Sequence, residues 1–423
     1  MKKRIVIRAF TLRRDAAAAL LLQKILQRKG CDVIIACSRN FSTTLRLWKP
    51  HAVVVNTVSA IRPSRKLCPN AAIVHWPGEG SEPERVCDPA LLAGRPEDYE
   101  MLDRFLAWGR MTEEFCRKLL PDKGGDKVVV CGNPRLDVLK FNHDLANRDP
   151  ISNSIGIVGR FNSINHYDGR PALYTLTNPE NLDSVLSQCR GFVLVVQVIK
   201  HLIDTTNLHI NIRPHPLEAP ENYRYVRALA PNRISVDDSF DFAAWAARQR
   251  ALLAPSSTSF LETYLLGVPI VNIDKLAAAK VQAHEGLAAA LATEPQSFDE
   301  LVTSIQTVKA QEMSREIDGH LNEAHEWYSP QSAILRAALA IIESVERKQP
   351  RVGVAWPLWL LRRIDDISYR RACVRNPLHP NFNYKEGVHR TPPYFDEIAD
   401  NILKNSIAFS MTRTCDEKQR APA

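Results

Sequence analysis

The sequence predicts two doubly wound α/β domains in tandem, followed by a helical tail. Three observations carry that expectation. Short runs rich in Val and Ile recur through the first part of the chain, a polar stretch interrupts them, and the same pattern then restarts. Continuous apolar runs, rather than strict alternation, belong to strands buried on both faces of a parallel sheet. Helical segments between such strands complete the doubly wound pattern.

Taken in order, KRIVIRAF is the first strand, and RRDAAAALLLQKILQRKG is an amphipathic helix stopped by Gly30. CDVIIACS, HAVVVNT, AAIVHWPG, RFLAWG and KVVVCGNP then read as strands with room for crossover helices. The polar, turn-rich FNHDLANRDPISNS at 141–154 reads as a linker. Beyond it come SIGIVGRF, a helix over about 180–205, HINIRPHP, RISVDD, ALLAPSS and VPIVNI, with a closing helix in SPQSAILRAALAIIESVERK. The expected boundaries are therefore 1–145, 151–348 and 349–423. Two such domains facing each other place a ligand cleft at the carboxyl ends of both sheets.

The 423 residues suffice for two cores, and a charge of +8, from 55 Lys and Arg against 47 Asp and Glu, favours anionic partners. Those partners are a nucleotide, a phosphorylated or acidic sugar, or an anionic membrane surface. The basic residues are dispersed rather than clustered with aromatics, so no nucleic-acid partner is expected. Nine cysteines form no C-x-x-C pair and no zinc-like spacing. MKKRIVIRAF has no signal-peptide core, and the longest apolar run, GFVLVVQVI at 191–199, is too short to span a bilayer. A reduced, cytoplasmic protein is the expectation. Within 351–372, Trp356, Leu358, Trp359, Leu360 and Leu361 accompany Arg362, Arg363, Arg370 and Arg371. Such a segment either docks its apolar stripe on the body or lies on an anionic membrane, peripheral to the inner leaflet.

Chemistry gathers at two predicted strand ends of the second domain. In RPHP, Pro214 and Pro216 fix the backbone around His215, which either fills a rigid turn or meets a phosphate. In APSSTS, Ser256, Ser257 and Thr258 present hydroxyls ahead of a helix, and Ser259 with Glu262 also fits a capping box. In the first domain, Glu79 lies between two glycines after a strand, where it serves as a base or as a solvated loop acid. Arg135 and Arg160 sit by strand ends, where a guanidinium clamps a carboxylate. Asp15, with Arg13 and Arg14, reads equally as an acceptor contact or as a helix start.

RPHP at 213–216 with SST at 256–258 resembles the paired motifs of GT-B glycosyltransferases that use CMP-activated acidic sugars. VHWPGEG at 74–80 and VVVCGNPRLDVL at 128–139 are similar to retaining β-Kdo transferases of capsule and lipopolysaccharide assembly, over roughly residues 1–345. The resemblance implies a GT-B fold and a CMP donor held by Arg213, His215, Pro216, Ser256, Ser257 and Thr258. It further implies no metal, no cofactor beyond the donor substrate, and a glycan or glycolipid acceptor. Asp137 is the implied nucleophile of a double displacement, with Glu79 as base; the plainer reading makes Asp137 a first-turn helix acid. A CDP-glycerol-type polyol-phosphate transferase and a non-catalytic sugar-nucleotide-binding protein are the alternatives.

Overall fold

The computed structural model describes residues 2–9, 12–37, 40–78, 96–119, 125–141, 153–166, 171–239, 241–255, 257–277, 291–307, 315–351, pieces of 353–371, and 395–404. Eleven strands are present among them, in two sheets. The first holds β1 (Arg4–Ala9), β2 (Asp32–Cys37), β3 (Ala52–Val55), β4 (Ala72–His75), β5 (Arg104–Ala107) and β6 (Val128–Val130). The second holds β7 (Ser154–Val158), β8 (His209–Arg213), β9 (Ile234–Val236), β10 (Leu252–Ala254) and β11 (Ile270–Asn272).

Every pairing is parallel. The orders are β2-β1-β3-β4-β5-β6 and β11-β10-β7-β8-β9. β3, β4, β5 and β7 are buried along their whole length, which is why they read as unbroken apolar runs. Each order reverses direction once, between β1 and β3 and between β7 and β10. Open α/β sheets bind ligands outside the carboxyl ends of the strands at such reversals.

Helix ends follow local chemistry. Gly30 closes the helix Leu12–Arg28 at φ +84°, with Gly30 N–H donating to Gln27 and Cys31 N–H to Leu26. That bond pattern needs a left-handed residue, and only glycine enters that region without strain. The long helix Leu182–Thr205 buries Leu194, Val195, Val198, Ile199 and Leu202 in the core of the second sheet. By length and composition alone, 179–205 would also suffice to cross a membrane, although the strict apolar run inside it is shorter.

The expected boundaries require one correction. One compact unit combines Met1–Asn142 with Ser314–Tyr369 and Asn383–Ala423, and the other is built on His143–Met313. The helix Ala333–Lys348, expected to close the second domain, packs instead on the helix Leu12–Arg28 and on β3, β4 and β5. Its buried face, including Ile334, Ala337, Ala338 and Ile341, completes the first core. Helical periodicity shows which residues are buried and not which sheet receives them.

The tail joins the first unit too. Trp356 N–H donates to Leu47 O at 3.1 Å, Ala355 packs on the core, and Leu361 lies within it. The helical stretch 395–404 buries Phe395, Ile398, Ala399 and Ile402, and Asp396 and Asp400 pair with Lys24 and Arg28.

Candidate functional site

The second unit brings three segments to the carboxyl edge of one sheet: the loop after β7, the His-Pro corner after β8, and the serine turn after β10. Because β7 pairs with both β8 and β10, the three leave from adjacent strands. The β7/β10 reversal lies among them, the kind of position at which open α/β sheets bind ligands.

At the corner, Leu217 N–H donates to His215 Nδ1 at 3.1 Å. An accepting Nδ1 assigns the proton of the neutral ring to Nε2, so the half-buried imidazole presents a donor. Arg213, expected among the donor contacts, is committed elsewhere. Its guanidinium donates to Asp237 at 2.6 Å and to Ser239, and lies over the rings of Phe242 and Trp245. It braces β8 against the segment leaving β9. Pro216 contributes rigidity to the corner.

The residue that organises this edge escaped the sequence reading. Glu218 is fully buried, and its Oε1 accepts the N–H of Phe161 at 2.8 Å and of His215 at 3.0 Å. Its Oε2 accepts the Tyr223 hydroxyl at 2.6 Å and Asn165 Nδ2 at 3.4 Å. Burial pushes this carboxyl up, and the donors around it pull the other way. Gly159 leaves no room for a side chain: a Cβ there would stand 2.7 Å from the Tyr223 hydroxyl and 2.9 Å from Glu218 Oε1. The available signal was an acid between Leu217 and Ala219, inside an apolar stretch. Arg160 follows Gly159 in the same loop, half-buried.

In the serine turn, Ser256 lies outside the described residues. The hydroxyls of Ser257 and Ser259 are 2.7 Å apart, and Ser259 N–H donates to Ser257 Oγ at 3.3 Å. The helix Ser259–Leu265 starts from Thr258, which is exposed and makes no side-chain cap. The capping box drawn from Ser259 and Glu262 therefore does not form, since Ser259 is already helical.

In the first unit, Glu79 lies outside the described residues. Asn133 Oδ1 accepts Arg135 N–H at 3.1 Å at the entry to the helix Pro134–Phe141, and Arg135 reaches Gly78 O at 3.4 Å. Asp137 is buried, and its Oδ2 accepts Ser332 Oγ at 2.6 Å and Ile334 N–H at 2.7 Å. It thus holds the start of a second helix rather than acting only at the start of its own. Burial raises its carboxyl to about 6 despite both bonds. At the β1/β3 reversal, Asn56 Nδ2 donates to Asp15 at 2.6 Å, and Asn56 Oδ1 is buried without a partner among the described residues. Asp15 stands out in the sequence, whereas Asn56, a polar residue closing an apolar strand, shows its role only in the fold.

No group of three or more His, Cys, Asp or Glu is arranged for a metal among the described residues. No family model matches the sequence, and no curated protein matches it. Solved structures do. The wall teichoic acid polymerase TagF is 12% identical with a TM-score of 0.50, over 82% of this chain and 90% of that one. The fold is of the GT-B type. MnaA of S. aureus, solved with UDP, is 14% identical over 84% of this chain and 100% of its own, at a TM-score of 0.48. A UDP-GlcNAc 2-epimerase from Methanocaldococcus jannaschii is 11% identical over 81% and 100%, at 0.47. At these identities the likeness is one of fold.

Proposed function

We propose that this chain is a glycosyltransferase that moves an acidic sugar, Kdo first among them, from a CMP donor to a surface glycan or glycolipid. One observation carries the reading. His215, with its proton on Nε2, and the hydroxyls of Ser257 and Thr258 share the edge of the sheet that contains the β7/β10 reversal. Neutral imidazole and hydroxyls donate to phosphate oxygens, and Arg160 on the same edge adds positive charge. No metal enters this scheme.

Retention through a covalent intermediate on Asp137, with Glu79 as base, is the finer part of the proposal. Its cost is visible. Asp137 is buried, so its carboxylate has to be uncovered before it meets an anomeric carbon, and because both bonds it accepts fall on Oδ2 it is Oδ1 that would attack. The acceptor site belongs to the first unit, where Asp15, Asn56 and Arg135 lie near strand ends. Peripheral attachment to the cytoplasmic face of a membrane, through the tail, is part of the same proposal.

Incubating the full chain with CMP-Kdo or CDP-glycerol and a membrane acceptor fraction tests the reading. CMP release with CMP-Kdo, and a Kdo-bearing product, is the expected result. Consumption of CDP-glycerol instead assigns polyol-phosphate transfer. Nucleotide binding without consumption of either assigns a non-catalytic binding protein.

A further inference from the structure

The backbone of the His-Pro corner is held by a buried carboxylate that no ligand can touch. Pro214 and Pro216 have no N–H, so His215 supplies the sole main-chain donor of that tripeptide, and it points to Glu218 Oε1. The next donor, Leu217 N–H, is spent on His215 Nδ1. The same Oε1 takes the N–H of Phe161 from the loop after β7. One carboxylate oxygen therefore ties two loops together, and its partner oxygen is fixed by Tyr223 and Asn165. Asn165 repeats the tie, accepting Ala219 N–H at 3.0 Å and donating to Ala219 O at 3.1 Å.

We propose that Glu218 is a positioning residue for the phosphate site of the second unit, setting the His215 ring and the Gly159–Phe161 loop for a nucleotide. The inference rests on the nucleotide-binding reading above. Glu218 is fully buried, so it acts only through what it holds. Four donors converge on its two oxygens, an arrangement that suits the ionised acid and not a protonated one. A negative charge behind an anion site opposes binding through space. Its compensation is rigidity, because hydrogen bonds to a carboxylate are about twice as strong as those to a neutral oxygen. Glutamine would keep the shape, but its amide would set donors against the Tyr223 hydroxyl and Asn165.

The test is a double-mutant cycle on the full chain, with CMP as probe in calorimetry. Glu218→Gln and His215→Ala are each expected to weaken CMP by about tenfold, the scale of one hydrogen bond to a charged group. If Glu218 acts through His215, the double variant binds within about threefold of His215→Ala, because coupled residues are non-additive. Hydrogen exchange at the amides of Phe161 and His215 should rise in Glu218→Gln while the strands stay protected. Should Glu218→Gln not fold, Tyr223→Phe, which strips one donor and leaves the carboxylate, takes its place in the cycle. Unchanged CMP affinity in Glu218→Gln (or in Tyr223→Phe where it stands in), or losses fully additive with those of His215→Ala, overturns the positioning role while leaving the nucleotide reading intact, whereas unchanged affinity in His215→Ala overturns both. A wild-type chain that binds none of CMP, CDP or UDP overturns both.

Discussion

Asp137 titrates in a window where its two possible roles separate. Burial lifts its carboxyl from 3.8 to about 6, a difference worth roughly 3 kcal/mol. The folded state holds the proton more tightly than the unfolded chain, so this group's contribution to stability is greatest below about pH 4 and is lost as pH rises to about 6. Asp137→Asn should remove that slope, which urea unfolding at pH 4.5 and pH 7 measures; equal slopes in both proteins would show that another group titrates. The same variant should abolish transfer and leave CMP affinity within about twofold, if the carboxylate is the nucleophile. Full transfer activity would assign Asp137 to the helix end alone. What the sequence made legible at this scale was the turn chemistry: His215 between prolines and the Asn133–Pro134 helix entry depend on local spacing. Glu218 and the commitment of Arg213 were hidden, because their meaning lies in partners such as Phe161 and Ser239, which only the folded chain brings near.

Strands and helices were largely readable, since parallel sheets demand unbroken apolar runs and helices stop at glycine. Their allegiance was not. Nothing in the pattern of Ala333–Lys348 tells that its apolar face meets β3 to β5 across more than 220 residues of intervening chain. Residues 1–145 alone are therefore expected not to fold cooperatively, because that helix covers their sheet; a single cooperative melt by circular dichroism would refute this. The start of the helix offers a gentler probe. Ser332 Oγ accepts Leu335 N–H at 3.2 Å and donates to Asp137. Ser332→Ala removes a cap and leaves a buried carboxylate with one donor fewer, so a loss of about 1–3 kcal/mol in denaturant unfolding is expected. A change below a few tenths of a kcal/mol would mean that water replaces the hydroxyl.

For the whole molecule, the tail sequence suits either docking or a membrane surface, and its residues divide between the two. Leu361 and Ala355 pack into the first unit, whereas Trp356 is 47% exposed, Trp359 63% and Val354 91%. Arg351, Arg363 and Arg371 are exposed in the same stretch, on a chain of net charge +8. Indole rings favour the membrane–water interface, and each basic residue near an anionic leaflet adds about 1 kcal/mol. A segment anchored by Leu361 presents those rings without losing its hold on the sheet. Trp356→Ala with Trp359→Ala should therefore lower co-sedimentation with vesicles rich in phosphatidylglycerol by about tenfold or more, at unchanged melting temperature, because little buried surface is removed. Leu361→Ala should behave in the opposite way, lowering stability by about 2–4 kcal/mol through a core cavity. Raising salt should weaken binding of the wild type, since screening acts on the arginines and not on the indoles. Equal sedimentation of the double tryptophan variant and the wild type would show that the exposed rings do not meet the membrane.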